Sequence, residues 1–270
     1  MNRVDQQKYI VFLNDISKEK PNNFKDDSVK CPFCDREKLV DIIDEKGPFV
    51  LLKNKYPTLK DSCQLVIIET YSCDKHMGEY SEEYMADLIR FGVKHWLKME
   101  KSGEYKSVIF YKNHGPRSGG SVKHAHMQIV GLNEIEYREN LDDKHFEGIE
   151  VYKSDYCLVN LSDKPLNGFS EFNIIISDDL IGLNELAYAL KKVVHYLLNN
   201  YYFKCDSFNI FFYHWKEQII CKVTPRFVTS PLLLGYEIRQ VSSCAEEVAQ
   251  KLKEMYFYNA FSFPQGIKVE

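Results

Sequence analysis

Asn113-His-Gly-Pro-Arg-Ser-Gly-Gly-Ser-Val-Lys-His-Ala-His-Met-Gln128 is the stretch on which the reading of this chain turns. Its second half alternates polar and apolar residues. On an extended strand, residues two apart point to the same face. A strand drawn over Val122–Gly131 would therefore carry His124, His126 and Gln128 on one side. Ala125, Met127 and Ile129 would pack into a core on the other. Just upstream, the glycines of Ser118-Gly119-Gly120-Ser121 let backbone N–H groups come close to a phosphate. A bare His-x-His is usually a pair of surface histidines. The glycine-rich loop and Gln128 in register point instead to chemistry at phosphorus. A neutral imidazole is a competent nucleophile near pH 7 once its second nitrogen donates to an acceptor that fixes the tautomer. Donors from Gln128, Ser121 and the loop backbone would stabilise charge on the transferring phosphoryl group.

Upstream lies Cys31-Pro-Phe-Cys34, a Cys-x-x-Cys knuckle that aims two thiolates at one metal. It occurs once, so two further ligands must come from elsewhere. His124 is one candidate, and Cys73 is the best fourth, with His76 the alternative. Three cysteines and a histidine make a closed, structural zinc site with no open position for substrate. Such a site would hold the start of the histidine strand rigid. A redox Cys-x-x-Cys would need a thioredoxin-like βαβ setting, which is not evident; a metal-free local knuckle is the other reading.

Strand-like runs rich in β-branched and aromatic residues fall at Gln64–Glu69, Ser107–Lys112, Val122–Gly131, Phe172–Ser177, Ser207–Tyr213 and Gln218–Thr224. Helical periodicity follows Ser81 (Met85, Leu88, Ile89, Trp96) and runs through Leu183–Leu197. A third helix is expected from Ser243, with Glu246 completing a capping box. Strand, helix, strand, loop, strand thus occurs twice, about a hundred residues apart, and suggests a duplicated α+β unit with its seam near Lys144–Tyr152. The other reading is one larger α+β domain.

The 270 residues are 44% apolar and 27% charged, with a net charge of −4 and no basic stripe. That composition suits a soluble globular protein and argues against duplex nucleic acid as a partner. The polar N-terminus and the absence of a long apolar run predict no membrane span and a cytoplasmic protein. In that reducing setting the eight cysteines are read as thiols, with Cys157, Cys205 and Cys221 as core residues.

The motifs resemble those of the galactose-1-phosphate uridylyltransferase branch of the histidine-triad superfamily, including its ADP-glucose phosphorylase-like relatives. Beyond the two motifs above, the resemblance takes in Arg3-x-Asp5, Tyr9-Ile-Val, Lys20-Pro21, Asn54-Lys-Tyr-Pro57, Glu69-Thr70, Pro225-Arg226 and Gly235-Tyr-Glu237, in family order. It implies an α+β fold of two tandem histidine-triad-like units, each an antiparallel sheet with packed helices: a catalytic half over 1–148 and a degenerate half over 149–270. It implies that His126 takes a nucleotidyl group covalently, while Gln128 and Ser121 contact the transferred phosphate and Asn113 the phosphate chain. Asn54 would touch the nucleoside, and Glu237 and Gln240 the sugar of a second substrate. Cys31, Cys34 and His124 match the family's zinc ligands, and Cys73 stands where a histidine is usual; thiolate serves zinc well. A homodimer is implied as well. Ala125 replaces the usual proline between the histidines, and Lys55 stands where uridylyltransferases carry an acid, so galactose is not implied. The stretch Gln218–Arg226 has no His-x-His, which leaves one active site per chain.

The expected activity is nucleotidyl transfer from a nucleoside diphosphate sugar or related nucleotide to a sugar phosphate or phosphate. The alternatives are a hydrolase or phosphorylase of the same superfamily and a nucleotide-binding regulator without turnover.

Overall fold

Residues 9–258 are described by a computed structural model; the Arg3-x-Asp5 pair lies outside the described residues. A short helix α1 (Asn14–Glu19) precedes strands β1 (Ile42–Lys46), β2 (Phe49–Lys53) and β3 (Ser62–Ile68), helix α2 (Glu82–Lys101), and strands β4 (Ser107–His114) and β5 (His126–Leu132). The second half repeats the series with β6 (Gly148–Lys153), β7 (Leu158–Ser162), β8 (Phe172–Ser177), α3 (Leu183–Asn199), β9 (Phe208–Trp215) and β10 (Gln218–Pro225). Two helices follow, α4 (Pro231–Tyr236) and α5 (Ala245–Leu252). No helix among the described residues is long and apolar enough to cross a membrane.

All ten strands join one antiparallel sheet in the order β1-β2-β3-β5-β4-β9-β10-β8-β7-β6. Each half follows the same internal order, and the halves meet where β4 pairs with β9, Phe110 opposite Phe212. The sheet is thus continuous rather than two separate sheets. Helix α2 starts where Ser81 Oγ accepts from the Tyr84 N–H at 3.2 Å, satisfying one of the unpaired first-turn donors. Its apolar stripe and that of α3 cover one sheet face. Trp96 is buried there and donates its indole N–H to the Val108 carbonyl at 2.9 Å, while Phe110 stacks on Phe212 at 4.5 Å. Met127 and Ile129 of β5 point into this core, as the alternation predicts, and Cys157, Cys205 and Cys221 are buried in it.

Four strands, β1, β2, β6 and β7, carry no clear signal in the sequence. In β2, Phe49, Val50, Leu51 and Leu52 are all buried, because both faces are covered, and the period-2 alternation is lost. The expected strand over Val122–Gly131 begins only at His126. The preceding backbone bonds elsewhere: Asn23 N–H donates to the Ser121 carbonyl at 3.1 Å, and Lys123 N–H donates to Asn23 Oδ1 at 2.8 Å. The expected capping box at Ser243 does not form; α5 starts at Ala245 behind Cys244 with no side-chain cap.

The sheet also holds two buried ion pairs, one on the helix-covered face and one on the opposite face. Lys112 of β4 pairs with Glu69, just past β3, and both side chains are fully buried. Tyr80 Oη donates to the second Glu69 oxygen at 3.1 Å, and Lys112 Nζ reaches the His126 carbonyl at 3.3 Å. In the second half Lys222 pairs with Glu171 at 2.9 Å. The first pair ties together the C-terminal ends of β3 and β4 and the N-terminal start of β5, so it sets where His126 begins its strand. A buried pair contributes less than the cost of leaving one partner alone. Lys112→Met should therefore destabilise the protein by about 3–5 kcal/mol in urea unfolding. The double change Lys112→Met with Glu69→Leu should cost less than the single one, and an equal or greater loss would contradict this account of the pair.

Candidate functional site

His124 lies just before β5 and is fully buried. Its Nε2 donates to the Thr70 carbonyl at 2.8 Å, which leaves the Nδ1 lone pair aimed at two thiols; Nδ1 is 3.5 Å from both Cys31 Sγ and Cys34 Sγ. Cys73 completes the group, and the four ligand atoms lie within 4.8 Å of one another. A tetrahedral ion at about 2.3 Å from sulfur and about 2.0 Å from nitrogen spans an N–S edge of about 3.5 Å. The residues therefore fit a metal ion, and the Nε2–H bond to a carbonyl is the outer support that a metal-bound imidazole needs. Burial and the neighbouring thiols push Cys73 up to about 12, whereas Cys31, despite its burial, is drawn down to about 7 by the hydrogen bond to His124. Three thiols sharing one imidazole cannot all ionise unaided; a cation removes the conflict. His76, the alternative ligand, lies elsewhere, its ring 5.3 Å from that of His114.

His126, two residues on, turns to a different purpose. Its Nδ1 donates to the carbonyl of His124 at 2.8 Å, so the lone pair resides on Nε2. Burial holds the ring's pKa down at about 3, and the imidazole is neutral near pH 7. The ring meets the edge of Phe33 at 5.4 Å and, with Gln128, lines a cavity of about 980 Å³ between the sheet and the segment 30–41. His124 and His126 both meet the ring of Phe33, at 6.0 and 5.4 Å, but His124 faces the cysteines while His126 and Gln128 line the cavity.

The cavity has apolar walls, among them Phe33, Leu39, Leu52, Val66 and Val122. Six cationic residues, Lys20, Lys30, Arg36, Lys38, Lys53 and Lys55, face three acids, Asp35, Glu37 and Asp41. That pairing of apolar wall and positive rim suits a base joined to phosphates. Asn54 lines it too, its Oδ1 taken by the Tyr56 N–H at 2.9 Å, so its amide N–H groups are left for a ligand. Lys20 is half-buried; burial lowers its pKa, and no carboxylate among the described residues pairs with it. In the sequence it was only half of a Lys-Pro motif, and nothing but that motif marked it.

The glycine-rich loop does not line the cavity. Asn113 is bound through its Oδ1 to Asn209 Nδ2 at 2.7 Å; Asn209 also donates to the Ser118 carbonyl at 3.0 Å and accepts from Arg226 Nη1 at 3.0 Å. Gly115 has φ +83°, and a Cβ there would sit 2.1 Å from the Asp206 carbonyl oxygen, so glycine alone fits. Arg117 grips Asp206 with two bonds of 2.6 and 2.7 Å. Gly119 (φ +87°) and Gly120 follow, and Ser121 ends the loop with a buried hydroxyl that has no hydrogen-bond partner among the described residues. The loop is thus anchored on the second half, and it meets the cavity only at Val122. Glu237 and Gln240 are further away still. Glu237 is exposed behind α4 in a left-handed conformation, and Gln240 borders a separate hollow of about 70 Å³ with Gly168, Thr224 and Arg226. The expected sugar contacts thus do not line the His126 cavity, because the chain after β10 folds against the second half's own loops.

The N-terminal domain model of DUF4931, a domain of unknown function, matches residues 12–135, and its C-terminal domain model matches residues 138–257. No curated protein sequence matches the chain. The crystal structure of a DUF4931 family protein from Bacillus cereus ATCC 10987 is 50% identical, covers 80% of this chain and 99% of that one, and superposes with a TM-score of 0.74. A GalT-like protein from Arabidopsis thaliana gives 0.66 at 16% identity, covering 83% of this chain and 91% of its own. An ADP-glucose phosphorylase from the same plant, with bound ADP-glucose, gives 0.67 at 15% identity, covering 88% and 93%. At such identities the likeness is one of fold. The chain belongs to the DUF4931 family, and it shares its fold with a GalT-like protein and an ADP-glucose phosphorylase.

Proposed function

We propose that the protein is a nucleotidyltransferase that carries a nucleotidyl group covalently on His126, taken from a nucleoside diphosphate sugar or related nucleotide. The observation behind this is the tautomer of His126: Nδ1 is committed to the His124 carbonyl, and Nε2 keeps its lone pair in a cavity with an apolar wall and a cationic rim. Nε2 attacks the α-phosphorus, an N–P bond forms, the P–O bond to the β-phosphate breaks, and the sugar phosphate leaves with its charge. An acceptor oxygen then attacks the same phosphorus and the N–P bond breaks, restoring the neutral ring. Nδ1–H stays in place throughout and stabilises the cationic ring as it forms.

Gln128 offers its amide to the non-bridging phosphate oxygens, Lys20 offers positive charge, and Asn54 meets the nucleoside. The Ser121 hydroxyl, without a hydrogen-bond partner among the described residues, suits a phosphate oxygen brought in by substrate. Asn113, Gly119 and Gly120 serve the phosphate chain only if the loop turns towards the cavity on binding. Glu237 and Gln240 would reach a sugar in this cavity only from a second copy of the chain, in the homodimer that the resemblance implies. The half up to residue 148 carries the chemistry. The half from 149 onward is a degenerate copy of the same histidine-triad-like unit, a reading supported by the repeated strand order. We place the protein in the cytoplasm, in keeping with its free thiols.

Zinc is the ion that suits Cys31, Cys34, Cys73 and His124, since three thiolates and one imidazole make a tetrahedral set. When bound, it supplies a fixed crosslink between the knuckle and the chain entering β5.

Incubation with nucleotide sugar labelled in the α-phosphate, without acceptor, should leave label on the native protein and none on His126→Gly. Turnover in that variant should fall about a thousandfold or more. Undiminished turnover would remove His126 from the chemistry, and binding without label in the native protein would make it a nucleotide-binding protein instead. The products formed with sugar phosphate, inorganic phosphate or water distinguish transferase, phosphorylase and hydrolase.

Elemental analysis should find about one zinc per chain. Cys73→Ala should lose metal readily to a chelator and melt several degrees lower, because metal binding here is coupled to folding. Metal-free protein that melts like the native form would count against the site.

A further inference from the structure

Gln128 can help a phosphoryl group only if its amide nitrogen faces forward. A carboxamide has one donor end and one acceptor end, and the wrong end would set Oε1 against the phosphate oxygens. Two cross-strand neighbours flank it on this face. Val66 of β3 lies on one side and Tyr111 of β4 on the other. Val66 cannot hydrogen-bond. Tyr111 donates its phenolic proton to Gln128 Oε1 at 3.2 Å, the only hydrogen bond of that side chain among the described residues. Tyr111 is half-buried, and burial pushes its phenol up to about 12, so it stays a donor at any working pH. Its proton has no other acceptor among the described residues. A flipped amide would instead donate Nε2–H to the phenol oxygen, but the phenolic proton would then have no protein acceptor among the described residues, and leaving it unbonded costs more than a neutral hydrogen bond contributes.

We infer that Tyr111 is a positioning residue whose hydroxyl holds the Gln128 amide with Oε1 backward and Nε2 toward the cavity, so that a bound phosphate is met by a donor. The inference rests on the phosphate-binding reading of Gln128 given above. It goes further in assigning Tyr111 a role that no sequence motif marked and in setting the direction of the amide. Phe211, opposite Tyr111 on β9, has no polar group to substitute for the phenol.

Coupling between the two side chains is the test. AMP and UMP are titrated calorimetrically into the native protein, Tyr111→Phe, Gln128→Ala and the double variant, with melting curves to verify folding. Tyr111→Phe removes one hydroxyl and leaves the ring. It should weaken nucleotide binding about fivefold, the worth of one net hydrogen bond of about 1 kcal/mol. Gln128→Ala should weaken it at least as much, and the double variant should bind no worse than Gln128→Ala, since there is then no amide to orient. A phenol that merely supports the strand would show the same loss in both backgrounds, and that result would overturn the proposal. So would native affinity in Tyr111→Phe, or a native protein that binds neither nucleotide. Turnover in the same four proteins separates the two claims. Coupled binding without transfer defeats the transferase reading and leaves the role of Tyr111 intact. Transfer with uncoupled variants does the reverse.

Discussion

Both nitrogens of His124 are committed, and the rest of the site depends on that. Nε2 donates to the Thr70 carbonyl beyond β3, and Nδ1 faces the Cys31 and Cys34 thiols. One ring thereby joins three stretches of chain that are remote in sequence. The knuckle segment is held over the sheet, where Phe33 and Leu39 pack on Val50, Leu52, Val66 and Ile68, and the space left beneath it is the cavity. The same ring sets the conformation of the residue pair that follows. Its carbonyl takes the Nδ1 proton of His126, so the tautomer of the proposed nucleophile is fixed by the backbone of the residue that faces the cysteines.

A second constraint acts at the junction of β4 and β9. Asn113 and Asn209 are directly opposite each other there, and a bond between them ties the glycine loop to the second half. The close approach of Gly115 to the Asp206 carbonyl leaves no room for a side chain. The second half thus does more than extend the sheet: it decides where the loop that precedes the histidines can lie. This also explains why the loop glycines stand back from the cavity.

The two halves share a strand order but differ on the face away from α2 and α3. In the first half the knuckle leaves a hollow. In the second half Phe146 fills the corresponding face, packed with Ile175 and Ile220; its carbonyl accepts from Asn160 Nδ2, and the neighbouring His145 carbonyl accepts from Lys222. The linker between the halves therefore closes the second face, just where that half also lacks a His-x-His pair.

From the sequence alone, three amphipathic helical patterns, six of the ten strands and the inward alternation of Met127 and Ile129 could be read, because local periodicity records which side of an element is covered. The Cys31, Cys34, Cys73 and His124 group could be named as well, since metal-ligating side chains are few and their chemistry is distinctive. Strands buried on both faces, such as β2, or exposed along the edge, such as β1, have no period to read. The separate roles of His124 and His126 were read from the motifs, but the contacts that hold the chain before β5, backbone bonds to Asn23 and the side-chain bond of His124 to Thr70, were hidden. Only the folded chain brings Lys20 to the cavity, sets the Tyr111 hydroxyl against Gln128 and keeps Glu237 and Gln240 from the cavity. Those outcomes depend on contacts between distant segments, and a hydrogen bond across strands leaves no mark on the residues beside it in the chain.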